Sequence, residues 1–223
     1  MELTSAVAVV TGANRGFGRH LASQLLGRGA KVYAAARDPR GAGLPGAIPL
    51  RLDVTDPASV ARAAELAGDA TLLVNNAGVS AGQPLIGGEL EGIRLDMETN
   101  YFGTLAVTRQ FAPVIEANGG GAILNVLSIL SWVHPGPLGS YAAAKAAAWA
   151  LTGATRELLE PKGISVTALH VAYMDTDMAS SVPPEQKTDP AVVAKLALDA
   201  LERGDREILG DDLTRQVKAG LSK

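Results

Sequence analysis

An apolar run that stops at a glycine-rich turn and resumes as a helix constrains this chain more than any other stretch. Residues 6–10 are all apolar, Thr11-Gly12-Ala13-Asn14-Arg15-Gly16-Phe17-Gly18 follows, and residues 19–26 carry apolar side chains at helical spacing. A short continuous apolar run bounded by glycine reads as a buried strand, and the change of period marks a helix. Strand, glycine turn and helix in that order suit a dinucleotide phosphate. The glycines permit a tight turn and close backbone approach, while the helix N-terminus turns its unpaired N–H groups toward the anion.

The same alternation runs through the rest of the sequence. Strand candidates lie at residues 31–36, 48–52, 71–74, 122–127, 165–170 and 207–209. Helical stretches begin at Pro57, with Asp56 as cap, and cover 89–117, 141–160, 191–203 and 211–221. Strands alternating with helices, without repeats or a composition break, imply the α/β class. The expected architecture is one doubly wound parallel sheet of about seven strands with helices on both faces, in one domain over residues 1–223. Arg40 to Gly46 reads as a glycine-rich loop. The polar stretch 180–190, with Pro183-Pro184, reads as a mobile lid, and a short substrate lid is placed near 179–203.

Composition narrows the partners. The 223 residues are 47% hydrophobic and 19% charged, as a well-buried globular chain requires. A net charge of −3 argues against nucleic acid or an anionic membrane as main partner. Without cysteine, thiolate chemistry and disulfides are excluded, and His20, His134 and His170 are too scattered to suggest a metal site. No leader-like segment or membrane-length apolar stretch is present, so a cytoplasmic location is expected.

The chemistry-bearing residues follow strands. Tyr141 and Lys145 are four apart in a helical stretch, so they share a face. An ammonium beside a phenol favours the phenolate, so the Tyr141 pKa is expected to fall. Ser128 ends the fifth strand candidate and offers a hydroxyl to a substrate carbonyl oxygen. Asn100 sits mid-helix, where asparagine is unfavourable, and a local kink that holds a water would explain it. After the second strand, Arg37 and the turn residue Arg15 suit a ribose 2′-phosphate, hence NADP(H) rather than NAD(H). Asp38 becomes the ribose ligand instead if that strand ends one residue later.

Taken together, these motifs resemble the short-chain dehydrogenase/reductase family in its compact form. The resemblance rests on Thr11-Gly12-x-x-x-Gly16-x-Gly18, Asp53, Asn75-Asn76-Ala77-Gly78, Asn100, Ser128 and Tyr141-x-x-x-Lys145, with Ser128 thirteen residues before Tyr141. It implies a Rossmann-type fold and hydride transfer between a nicotinamide and a carbonyl or alcohol. By resemblance, Tyr141 is the proton donor, Ser128 orients the reacting oxygen, Lys145 holds the nicotinamide ribose, and Asn100 anchors a water. The cofactor set is Gly12, Asn14, Arg15, Gly16, Phe17, Gly18, Arg37, Asp53, Val54, Asn76, Ala77, Gly78, Ala172 and Thr176, with Tyr141 and Lys145. Where many members carry Pro-Gly after the sixth strand, this chain has Val171-Ala172.

Pocket candidates are Ile129, Trp132, His134, Tyr173 and Met174, joined by Val79. They are mostly apolar and point to an uncharged ketone, aldehyde or alcohol. Trp149 is assigned to a core or subunit contact. The family's dimer helices and the small face at 142–148 imply a homodimer or homotetramer. Two alternatives stand beside this. An acyl-carrier-linked 3-ketoacyl reductase would use Arg94 and Arg109 to meet an acidic carrier, and a non-catalytic NADP(H)-sensing regulator would bind without turnover.

Overall fold

The structure is a computed structural model that describes residues 1–39 and 43–221. Residues 40–42 of the loop expected at Arg40 to Gly46 lie outside the described residues. The strands are β1 (Val7–Thr11), β2 (Lys31–Ala36), β3 (Ile48–Arg51), β4 (Leu72–Asn75), β5 (Gly121–Val126), β6 (Ile164–His170) and β7 (Glu207–Leu209). The helices are α1 (Gly16–Gly27), α2 (Pro57–Leu66), α3 (Leu90–Met97), α4 (Thr104–Ala117), α5 (Gly139–Leu159), α6 (Pro190–Arg203) and α7 (Asp212–Gly220).

All seven strands lie in one parallel sheet, in the order β3-β2-β1-β4-β5-β6-β7. Alternate side chains leave opposite faces, as strand geometry requires. Ala8 and Val10 of β1 join one core with Leu21 and Leu25 of α1 and Val193 and Leu198 of α6. Val9 joins the other with Val60 of α2 and Phe111 and Ile115 of α4. Both faces are thus covered, which is why the strands read as continuous apolar runs.

The chain winds outward from β1 to β3, then returns to lay β4 on the other side of β1. Its connections therefore diverge at the carboxyl ends of β1 and β4, where open α/β sheets bind ligands. A row of buried amides fixes this region to the helices behind it. Asn75 Nδ2 donates to Thr108 Oγ1 of α4 at 3.1 Å and to Asn125 Oδ1 of β5 at 2.8 Å, and Asn125 Nδ2 donates to Thr152 Oγ1 of α5 at 2.9 Å.

Two local expectations are refined. The long helical stretch 89–117 is interrupted by a π-helical turn at Glu98–Gly103 that contains Asn100. The widened turn is the kink that the asparagine called for. The second half of the lid expected near 179–203 is a core helix instead. In α6, Val193, Ala194, Ala197 and Leu198 are fully buried, and Gln24 of α1 donates to the Ala191 carbonyl at 2.7 Å. The segment before Pro190 is largely exposed.

Candidate active site

The glycine turn is held from below by the end of β4. Thr11 Oγ1 accepts from the backbone N–H groups of Asn76 and Ala77, both at 2.9 Å, and donates to the Val74 carbonyl. Asn76 Nδ2 donates to the Thr11 carbonyl at 2.8 Å, so this side chain holds the turn in shape. The packing leaves no room at Gly18, where a Cβ would be driven into Asn76 Nδ2 and the Gly12 carbonyl. Helix α1 starts at Gly16, so the Gly16, Phe17 and Gly18 N–H groups have no intrahelical partner. The Phe17 ring is buried in the core, which leaves only its backbone for a ligand.

The neighbouring strand ends complete this edge. Strand β2 ends at Ala36, in register with Arg51 of β3, so Arg37 is the first residue beyond the strand, and it is exposed. Asp53 Oδ1 accepts from Thr55 N at 3.0 Å and from Thr55 Oγ1 at 2.7 Å. Burial works against the Asp53 carboxylate, but these two bonds, with Arg37 and Arg51 nearby, hold its pKa below the usual carboxylate value. Val54 packs against Gly103 in the π-helical turn. Thr176 lies over the glycine turn, its methyl 3.5 Å from where a Cβ on Gly16 would stand, and exposed Arg15 pairs with Asp177 at 3.3 Å.

Ser128, Tyr141, Lys145 and Asn100 come together from β5, α5 and the π-helical turn. The Tyr141 phenol lies within the influence of the Ser128 hydroxyl, which favours its ionised form, and Lys145 Nζ lies 5.6 Å from the Tyr141 ring centre. Lys145 is buried and donates to the Val126 carbonyl at 3.0 Å. Asn100 Nδ2 donates to the Val79 and Asp96 carbonyls, both at 2.9 Å, while its Oδ1 is buried without a hydrogen-bond partner. Gly78 lets these groups approach one another. A Cβ there would stand 2.8 Å from Asn100 Oδ1 and 3.7 Å from Lys145 Nζ.

The electrostatics correct one expectation. Burial pushes the Tyr141 phenol above its usual pKa, the Asp96 carboxylate pushes it the same way, and the Ser128 hydroxyl opposes both. Desolvation outweighs the expected lowering by Lys145 because the phenol, unlike its ion, needs little solvation. Lys145 itself is lowered to about 8 by burial, against an upward pull from Asp96.

The pocket candidates separate. Ile129 N–H donates to the Val171 carbonyl at 2.9 Å, which places this residue beside the end of β6. Ala172 N–H donates to Asp211 Oδ2 at 2.7 Å, so the segment that replaces Pro-Gly is tied to the start of α7. Met174 pairs with Thr188, Tyr173 is 37% exposed, and His134 lies exposed in its loop. Trp132 is only partly available as a pocket wall. It stacks on buried His170 at 3.9 Å, with Lys218 Nζ 4.5 Å from its ring centre. Trp149 meets the same histidine edge-on at 4.9 Å, a core contact.

The residues fit a nicotinamide dinucleotide on two observations: the cradle at Gly18 that a Cβ would fill, and the orphaned Asn100 Oδ1 beside Lys145. The family profile described as short chain dehydrogenase matches residues 6–187. The chain belongs to the short-chain dehydrogenase/reductase family. A solved short chain dehydrogenase from Burkholderia cenocepacia J2315, in complex with NADP, superposes with a TM-score of 0.95 at 41% identity, over 100% of this chain and 94% of that one. A short chain dehydrogenase/reductase from Burkholderia phymatum, in complex with NAD, superposes with a TM-score of 0.86 at 27% identity, over 98% and 93%. The 3-oxoacyl-acyl-carrier-protein reductase FabG of Escherichia coli K12 is 30% identical over 198 residues, covering 84% of this chain and 81% of that protein.

Sequence reasoning about this short-chain dehydrogenase/reductase passed over three groups that the fold brings to the site: Asp96, Ser140 and His170. Asp96 and His170 are fully buried, and Ser140 Oγ donates to Asp96 Oδ2 at 2.6 Å. A charged side chain inside an otherwise amphipathic helix was the available signal for Asp96. His170 had none, because histidine at a strand end is unremarkable until two tryptophans are found packed on it.

Proposed function

We propose that the chain is an NADP(H)-dependent oxidoreductase that interconverts a carbonyl and an alcohol on an uncharged, largely apolar substrate. The observation that carries this reading is the convergence of the Tyr141 phenol, Ser128 hydroxyl and Lys145 ammonium beside the glycine turn. When bound, the nicotinamide supplies or accepts the hydride. Gly12, Gly16 and Gly18, with the first-turn N–H groups of α1, hold the dinucleotide phosphates. Arg15 and Arg37 meet the 2′-phosphate, and Lys145 holds the nicotinamide ribose. Asn14, Asp53, Val54, Ala77, Gly78, Ala172 and Thr176 line the same cradle.

Tyr141 gives its proton to the substrate oxygen as that oxygen gains negative charge, and Ser128 steadies the same oxygen by a hydrogen bond. Burial keeps the phenol protonated at neutral pH, so Tyr141 is set as an acid, the form that carbonyl reduction needs. Alcohol oxidation needs the phenolate and is favoured at alkaline pH. Asn100, through its free Oδ1, holds a water that returns the proton by way of Lys145. Ile129, Val79, Tyr173, Met174 and His134 surround the substrate, with the exposed Trp132 edge.

The test is oxidation of NADPH against NADH over a panel of uncharged ketones and aldehydes, with Tyr141→Phe as control. The variant should lose roughly 100-fold or more in turnover while still binding NADPH. Near-normal turnover by the variant would sink the assignment.

A second reading, reduction of a carrier-linked 3-ketoacyl thioester, draws on the similarity to FabG and on Arg94 and Arg109, both exposed on α3 and α4. A carrier-bound substrate preferred over its free thioester, with the preference lost in Arg94→Glu, would select it.

A further inference from the structure

Asp96 is a fully buried carboxylate that the mechanism above does not use. It lies on α3, one turn before Asn100, whose side chain donates back to the Asp96 carbonyl. Its two oxygens reach two other elements. Oδ1 accepts from the Ala81 N–H at 2.8 Å, in the loop after β4, and Oδ2 accepts from Ser140 Oγ at 2.6 Å, in the first turn of α5. The ties are reinforced between those two elements. Ser140 Oγ accepts from Gln83 N at 3.1 Å, and Ser140 N donates to the Gln83 carbonyl at 3.0 Å. One side chain therefore joins the Asn100 helix, the loop after β4, and the turn of α5 that carries Tyr141.

A carboxylate is costly to bury unless its position returns something. A neutral amide or hydroxyl would link the same three elements with less desolvation. The addition that a charge makes is its field, and the groups in that field are Tyr141 and Lys145. We propose that Asp96 is a positioning residue for the proton-transfer pair: it docks the first turn of α5 onto the Asn100 helix and sets a negative charge against Tyr141 and Lys145. This rests on the reading of Tyr141 as proton donor. The charge acts on both partners in the same sense: it opposes phenolate formation and supports the lysine ammonium, so the pair is held in the fully protonated form that carbonyl reduction starts from.

The other ionisable groups that face the pair do not duplicate this effect. From the sheet side, His170 faces Lys145, and burial lowers its pKa to about 4, so it is neutral in the working range. Behind it, Glu207 is paired with Lys218 at 2.7 Å. Ser128, which also acts on the phenol, carries no charge. Asp96 is thus the carboxylate that faces Tyr141 and Lys145 among the described residues.

The experiment titrates Lys145 by heteronuclear NMR of its side-chain Cε, assigned by comparison with Lys145→Arg. This readout needs no substrate. In Asp96→Asn, which keeps the shape and loses the charge, the Lys145 midpoint should fall further, by roughly half a unit to one unit. In Ser140→Ala, which keeps the charge and removes one tie, the midpoint should stay and hydrogen exchange in the first turn of α5 should accelerate about tenfold. An unmoved midpoint in Asp96→Asn overturns the charge role, and unchanged exchange in Ser140→Ala overturns the docking role. If Asp96→Asn does not fold, Asp96→Ser takes its place, since serine still offers the Ala81 N–H an acceptor. Should both arms succeed while Tyr141→Phe keeps its turnover, the error lies in the proton-donor reading and not in Asp96.

Discussion

Thr11 and Asn76 are bonded twice, side chain to backbone in each direction: Asn76 N–H donates to Thr11 Oγ1 at 2.9 Å, and Asn76 Nδ2 donates to the Thr11 carbonyl at 2.8 Å. The hydroxyl also accepts from Ala77 N–H. Thr11→Val keeps the shape but strips two N–H groups of their acceptor. We expect a loss of about 2–6 kcal/mol, at 1–3 kcal/mol for each unsatisfied group, measured by urea unfolding. A loss under about 0.5 kcal/mol would mean that water replaces the hydroxyl freely.

Arg15 and Asp177 are 71% and 78% exposed in their side chains, so their ion pair contributes little to stability. Arg15→Ala should leave the melting temperature nearly unchanged. Combined with Arg37→Ala, it should raise the Kd for NADPH by about tenfold or more and hardly change that for NADH, as loss of charge-assisted bonds to a 2′-phosphate would. Fluorescence titration with both cofactors decides. Equal weakening of the two would show that the arginines serve some other part of the nucleotide.

His170 gives the fold a pH dependence. Burial lowers its pKa from an ordinary 6.5 to about 4, and its Nε2 is buried without a hydrogen-bond partner. The unfolded chain therefore binds a proton in this window that the folded chain does not, and stability falls as pH drops from about 6.5 to about 4. The full effect is about 3 kcal/mol, taking 1.4 kcal/mol per unit. Thermal melts across this range should show the parent losing, as pH falls, stability that His170→Phe keeps. Parallel curves would mean that the fold does not lower the pKa of this histidine.

Lys145 is expected to cost stability in exchange for function. Its pKa is lowered to about 8 by burial, so the folded state disfavours the ammonium that the unfolded chain carries up to about 10.5. Stability from this group rises as pH climbs between those values and is missing below them. Lys145→Met should raise stability at neutral pH by roughly 1–2 kcal/mol, with the gain shrinking toward pH 10, and should abolish turnover. A destabilised variant would show that the bond to the Val126 carbonyl outweighs the buried charge.

The sequence made the order of strands and helices legible because both faces of the sheet are buried, so the central strands are largely apolar runs. Tyr141 and Lys145 were also legible, being four apart on one helix. Asp96 and Ser140 were not, since their meaning depends on a contact between residues 44 apart. Asn76 and Phe17 were read as cofactor residues, and the fold turns the amide down to the turn and the ring into the core. The Tyr141 pKa was misjudged for a related reason. Spacing along a helix reveals the neighbouring ammonium but not the desolvation that packing imposes. The lid was drawn too long because it was extended over 191–203, a stretch also read as helical, which α6, opening at Pro190 with Asp189 as cap, buries in the core.

The pairing of β1 with β4 has a kinetic consequence. The glycine turn receives its support only when Asn76 reaches Thr11, across 65 residues that include two intervening strands and two helices. Closing so long a loop is slow relative to forming the helices inside it, because its entropy must be met before the contacts form. A refolding chain would therefore regain its helical signal first and its affinity for dinucleotide late. Cofactor binding would then report the completed sheet.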